Sequence, residues 1–114
     1  MSEREDEENV VLCGANSYEQ KYYLNERFRV LPQSIQDELK VLCVLFVEDV
    51  GGILTMEFEP DGSLVMRVQN DEADYLFDEI GSGLKVKQIR QEKRELLEAL
   101  ELYYRASRQL EEKT

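Results

Sequence analysis

ILTMEFEPDGSLVMRVQ, residues 53–69, is the stretch that decides the fold. Leu54, Met56 and Phe58 alternate with Thr55, Glu57 and Glu59, and the alternation resumes at Leu64, Met66 and Val68 after Pro60-Asp61-Gly62. A period of two places each set on one face of a strand. Proline presets φ for the second position of a tight turn, aspartate tolerates turn geometry, and glycine accepts a positive φ. A three-residue loop ending in glycine pairs Glu59 with Ser63 and sets 58 against 64, 56 against 66 and 54 against 68. One face of this hairpin is apolar, while Thr55, Glu57 and Arg67 occupy the other. An apolar sheet face needs a covering layer, so the chain reads as α+β: a small antiparallel sheet centred on the hairpin, helices packed on one face, and a long C-terminal helix.

The flanks supply those helices. Leu31-Pro32 opens the first, with proline at the first helical position. Ile35, Leu39, Leu42, Cys43 and Phe46 then follow one helical face, and Gly51-Gly52 ends it. Its second half, VLCVLFV over 41–47, is apolar all round; a buried strand competes there, and the helical register of the preceding turn favours helix. Upstream, Val10–Cys13, ended by Gly14-Ala15-Asn16-Ser17, and Lys21–Leu24 are strand candidates. Downstream, Asn70 or Asp71 caps a short helix through Asp74, Tyr75, Leu76, Phe77 and Ile80, which Gly81-Ser82-Gly83 interrupts. The longest helix runs from about Leu84 to Gln109. Leu96, Leu97, Ala99, Leu100, Tyr103, Tyr104 and Leu110 share its apolar stripe with Ile89, Leu102 stands off it, and the pairs Arg94/Glu98 and Glu101/Arg105 point away.

A chain of 114 residues with 42% apolar and 34% charged residues suits one domain, predicted over 10–114. The opening Glu3-Arg4-Glu5-Asp6-Glu7-Glu8 has nothing to bury, and disorder is predicted for residues 1–9. A net charge of −11 opposes general nucleic-acid binding. Residues 85–114 alone lean basic, with eight Lys/Arg against six Asp/Glu. The absence of histidine removes the usual general base at neutral pH and the commonest transition-metal ligand. Cys13 and Cys43 sit among aliphatic neighbours and read as packed thiols rather than a disulfide. The longest apolar run, Val41 to Val47, is too short to span a membrane, and the acidic start is unlike a secretory signal, so the expected location is cytoplasmic.

No residue set nominates a catalytic centre or a cofactor. Asp71, Asp74 and Asp78 share one side of the expected short helix and are the candidates for a divalent metal, against the simpler reading that they cap and solvate a helix start. Glu92, Glu95, Glu98 and Glu101 spiral around a helix and do not converge. Ser82, Lys85 and Lys87 mark a candidate anion site at a helix start, against a plain glycine-rich turn capped by Ser82. Val44, Val47, Leu102 and Tyr103 are the candidates for an interface, because a helix apolar on every side and a leucine off its stripe suggest more apolar surface than one small domain covers.

The segments CGANSYEQKYYLN, LPQSIQDEL and CVLFVEDVGGILTMEF together resemble a family of small bacterial proteins known only as a domain of unknown function. The resemblance spans nearly the whole chain after the acidic opening. It implies a bacterial cytoplasmic protein and carries no activity, cofactor or site residue. The residues themselves favour a non-catalytic interaction or regulatory protein, a homodimer or the binder of a protein partner. A small-ligand or metal-dependent enzyme using 71–79 or 81–87 is the alternative, and an anionic decoy or immunity-type partner of a basic protein is a third.

Overall fold

The computed structural model describes residues 8–113, so most of the acidic opening, with its expected disorder, lies outside the described residues. Four antiparallel strands, β1 (Val10–Asn16), β2 (Lys21–Leu24), β3 (Ile53–Phe58) and β4 (Leu64–Gln69), form one sheet in the order β2-β1-β3-β4. Three helices accompany it: α1 (Gln33–Val50), α2 (Glu79–Glu92) and α3 (Arg94–Lys113). The architecture is the expected α+β fold.

The hairpin has the expected register, with Phe58 opposite Leu64, Met56 opposite Met66 and Leu54 opposite Val68. Its turn is closed by the Glu59 amide donating to the Ser63 carbonyl at 2.7 Å, and the Asp61 carboxylate accepts from the Ser63 amide at 2.9 Å. Gly62 takes φ +93°, and a Cβ there would lie 2.7 Å from the Arg105 side chain, so both backbone and packing demand glycine. Leu54, Met56, Phe58 and Leu64 are buried, while Met66 and Val68 on the edge strand are half-buried.

β1 does not stop at Gly14, as the sequence suggested, but runs on to Asn16. A Cβ at Gly14 would sit 2.6 Å from the Leu54 carbonyl oxygen, so this glycine permits close strand approach instead of breaking the strand. A register shift between Val11 and Cys13 inserts one extra residue, and Leu12 and Cys13 are both fully buried as a result.

α1 starts one residue later than expected. Pro32 is its cap, and the Pro32 carbonyl accepts from the Ile35 and Gln36 amides. The 41–47 stretch is helical, with Leu42, Cys43, Phe46 and Val47 in the core and Val41 and Leu45 exposed. Gly51, at φ +82°, closes the helix by donating to the Val47 carbonyl.

The largest departure lies over residues 70–93. The expected short helix through 71–80 is a pair of turns, and α2 begins at Glu79 and runs straight through Gly81-Ser82-Gly83. The aspartates explain the shift: Asp71 accepts from the Ala73 amide at 2.9 Å and Asp74 from the Leu76 amide at 3.0 Å, local bonds that compete with a helix. The cap is Asp78, which accepts from the Gly81 amide at 2.8 Å. The expected long helix is likewise two, broken at Lys93, whose ammonium reaches Glu38 on α1 at 3.1 Å.

α3 lies across the tip of the hairpin. Leu97, Leu100 and Tyr104 are buried, and the Tyr104 ring stacks on Phe58 at 4.2 Å, with Phe28 against both. Glu101 and Arg105, expected to pair with each other on the outer face, hold the hairpin instead. Glu101 accepts from the Leu64 amide at 2.7 Å, and Arg105 donates to the Asp61 carbonyl at 3.3 Å. Arg108 donates to the Pro60 carbonyl.

Candidate functional site

The acidic turn is tied down by a residue of the turn between β1 and β2, at the same end of the sheet. Tyr18 donates its hydroxyl to the Asp74 carboxylate at 2.6 Å and accepts from the Asp71 amide at 3.0 Å. The bond to Asp74 holds the Tyr18 phenol above its ordinary pKa. Phe77 lies over Gly52, where a Cβ would come within 2.8 Å of its ring, and the Asp78 amide reaches the Val50 carbonyl at 3.3 Å. Asp71, Asp74 and Asp78 therefore each serve a turn or a cap. Among the described residues, no three His, Cys, Asp or Glu side chains gather as they would around a metal ion.

Ser82 is not the cap of a turn but a buried residue in the first turn of α2. Lys85 pairs with Asp49 on α1 at 2.5 Å, and Lys87 is exposed. Two positions apart on a helix, these lysines diverge. The helix start they were expected to share already holds the Asp78 carboxylate, so the three residues form no common anion cradle.

Of the interface candidates, Val47 is in the core and Val44 is half-buried. Tyr103 packs against the core, and Leu102 stands 68% exposed. Further apolar exposure lies elsewhere: Tyr75 and Leu76 are 94% exposed, Ile80 is 80% and Leu84 64%. Ile80, Gly83, Leu84 and Lys87 follow i, i+3, i+4, i+7 spacing, so α2 presents one outward face. A Cβ added at Gly83 would meet nothing within 4 Å, so the chain's own packing does not require glycine there. Sequence reading hid this face by starting the helix in the wrong place. With Asp78 as the cap, the spacing is plain.

A cleft of about 660 Å³ opens between β1, β2 and α1, with Asn16, Lys21, Lys40 and Glu48 on its rim and Tyr22, Val44 and Val47 among its walls. Behind it lies a cluster of sulfurs. Cys13 Sγ and Cys43 Sγ are 3.7 Å apart, and Met56 Sδ is 3.7 Å from each. All three side chains are fully buried, and both cysteines are free thiols. The Tyr22 hydroxyl is buried and makes no hydrogen bond to nitrogen or oxygen. Burial, reinforced by Cys13 and Cys43 nearby, pushes the Tyr22 phenol far above its ordinary pKa. The hydrogen bond to Cys13, together with burial, does the same to the Cys43 thiol. Both groups are neutral at physiological pH.

No helix among the described residues is long and apolar enough to cross a membrane. The model of a family described as "Family of unknown function (DUF6145)" matches residues 9–113. No curated protein and no solved structure matches the chain.

Proposed function

The chain belongs to that family of unknown function, and from this premise, which brings no activity with it, we propose that the domain is a non-catalytic interaction protein that works as a homodimer through the outward face of α2. One observation carries the reading. Gly83 sits in the middle of an exposed helical face, beside Leu84, with open space above it. Glycine inside a helix costs roughly 1 kcal/mol relative to alanine, so an exposed one calls for a reason outside the monomer.

A second copy supplies the reason. Two α2 helices packed antiparallel about a twofold axis near residues 83 and 84 set Leu84 of each protomer into the notch over Gly83 of the other. The same axis brings Lys87 opposite Ile80 and beside Glu79 of its partner. Neither Glu79 nor Lys87 has an ion pair among the described residues. The lysine stem would cover Ile80 while its ammonium meets the carboxylate. Burying Tyr75, Leu76, Ile80 and Leu84 from two protomers amounts to roughly 12–24 kcal/mol gross. Association costs about 4–15 kcal/mol, so a modest, micromolar affinity is expected.

Light scattering between micromolar and high micromolar concentration tests the reading. A mass rising from 13.4 kDa toward twice that value, and returned to 13.4 kDa by Leu84→Glu but not by Leu102→Glu, supports it. A monomer at every concentration overturns it. Added salt separates this reading from the anionic-decoy alternative. Screening strengthens an apolar contact between two chains of net charge −11 and weakens capture of a basic partner. Two free buried thiols suit the reducing, cytoplasmic setting expected for the chain.

A further inference from the structure

We propose that Cys13, Cys43 and Met56 form a buried three-coordinate site for a soft monovalent metal ion, Cu(I). The proposal is independent of the dimer and rests on the core behind the cleft.

Three sulfurs with every pairwise distance at 3.7 Å make an equilateral triangle, whose centre is about 2.1 Å from each corner. That is within about 0.2 Å of a metal–thiolate bond of about 2.3 Å, so an ion can sit at the centre with almost no movement of the ligands. Three elements of the fold aim the donors. The register shift in β1 turns Cys13 inward, β3 presents Met56 directly across from it, and α1 lays Cys43 over both.

The donor set selects the ion. Thiolate and thioether sulfur favour Cu(I) over hard cations, and in the metal-free core the Met56 sulfur accepts hydrogen bonds from the Cys13 and Cys43 thiols. Zinc prefers four ligands, and nitrogen and carboxylate donors are missing here. Binding through both cysteines displaces a proton from each thiol, both protons leave to solvent, no oxidation state changes, and the two thiolates, the thioether and the monovalent ion together carry a single negative charge.

A polar atom points to the same place. The buried Tyr22 hydroxyl, which makes no hydrogen bond to nitrogen or oxygen, lies against Cys13 and near Cys43, so it can donate to a thiolate formed there. Tyr22, with Ala15, Val44 and Val47, also lines the cleft, whereas the three sulfurs are fully buried and form no part of its lining.

The test is anaerobic titration of the reduced full chain against Cu(I) held by the chromogenic chelator bicinchoninate. The expected result is withdrawal of one Cu(I) per chain, with three sulfur neighbours by X-ray absorption and both thiols protected from alkylation. Met56→Leu conserves core volume and leaves the fold intact by thermal melting. It is expected to weaken binding at least tenfold and to leave two sulfur neighbours. Cys13→Ala and Cys43→Ala each abolish stoichiometric uptake. The proposal is overturned if folded wild-type protein takes no copper from the chelator, or if Met56→Leu binds as tightly as wild type. Loss of both thiols and two hydrogens of mass with no copper retained also overturns it, because the pair would then be a disulfide couple.

Discussion

The aromatic cluster at the hairpin tip and the apolar face of α2 are built from the same kinds of residue and meet opposite fates. Phe58, Phe28 and Tyr104 are nearly inaccessible because α3 closes over them, and Glu101, Arg105 and Arg108 fasten that helix to backbone groups of β4 and the turn. Tyr75, Leu76, Ile80 and Leu84 have no such cover. The segment that carries them is held from beneath, by Tyr18 bonding to Asp71 and Asp74 and by Phe77 over Gly52, so it is fixed in place while its apolar side chains face out. Hydrophobicity alone does not place a residue inside. An element long enough to cover it, with polar groups that lock the cover down, does.

If that contrast is right, substitutions in the two regions differ in size and in sign. Phe58→Ala removes a ring stacked at 4.2 Å on Tyr104 and should cost about 3–5 kcal/mol in chemical denaturation. A loss below about 1 kcal/mol would mean that α3 is a loose cover. Gly83→Ala should act in two directions at once. At dilutions where the monomer prevails, the added helix propensity stabilises the chain by about 0.5–1 kcal/mol, while the filled notch raises the concentration needed for dimerisation. Gly81→Ala sharpens the point, because a Cβ there would lie 2.1 Å from the Asp78 carboxylate and damage the cap. That variant should be less stable, not more. Leu84→Glu, by contrast, should change monomer stability by no more than about 0.5 kcal/mol, since the side chain is 64% exposed.

The smallest expected effect concerns pH. The Ser63 backbone and side chain, with Arg105 adding, hold the Asp61 carboxyl below its ordinary value. A depressed folded pKa contributes stability that is present above the unfolded value and is lost as pH falls through the folded one. Melting temperature should therefore decline on that acid limb, and less steeply in Asp61→Asn. Tyr18 has the opposite sign. Its raised pKa contributes stability that is present below the ordinary phenol range and is lost at alkaline pH, and Tyr18→Phe should make the alkaline decline shallower without abolishing it, because Tyr22 and Cys43 have the same sign.

The hairpin was legible because its information is local: alternation fixes the faces, and Pro60-Asp61-Gly62 fixes the turn within three residues. Residues 70–93 were not, because Asp71, Asp74 and Asp78 are chemically equivalent caps. The choice among them is made by Tyr18 and Gly52, distant in sequence. The expected break at Gly81–Gly83 failed for a related reason, since Asp78 uses the Gly81 amide to start the helix rather than end one. That helix boundary also sets Asp71, Asp74 and Asp78 in separate turns and caps, and it gives Lys85 to Asp49. Glu101 looked solvated because its partner, the Leu64 amide, belongs to another element. The sulfur cluster depends on the register shift in β1, which no local pattern announces.

The central claim, that α2 pairs with α2 of a second copy, is tested most directly by a charge swap across the proposed axis. Lys87→Glu alone sets glutamate against Glu79 of its partner, and Glu79→Lys alone sets lysine against Lys87, so each variant should scatter light as a weakened dimer or a 13.4 kDa monomer. Mixed in equal amounts, the two restore both oppositely charged pairs, and the mass should rise to that of the dimer. If the mixture scatters no more than the average of its components, α2 does not face α2.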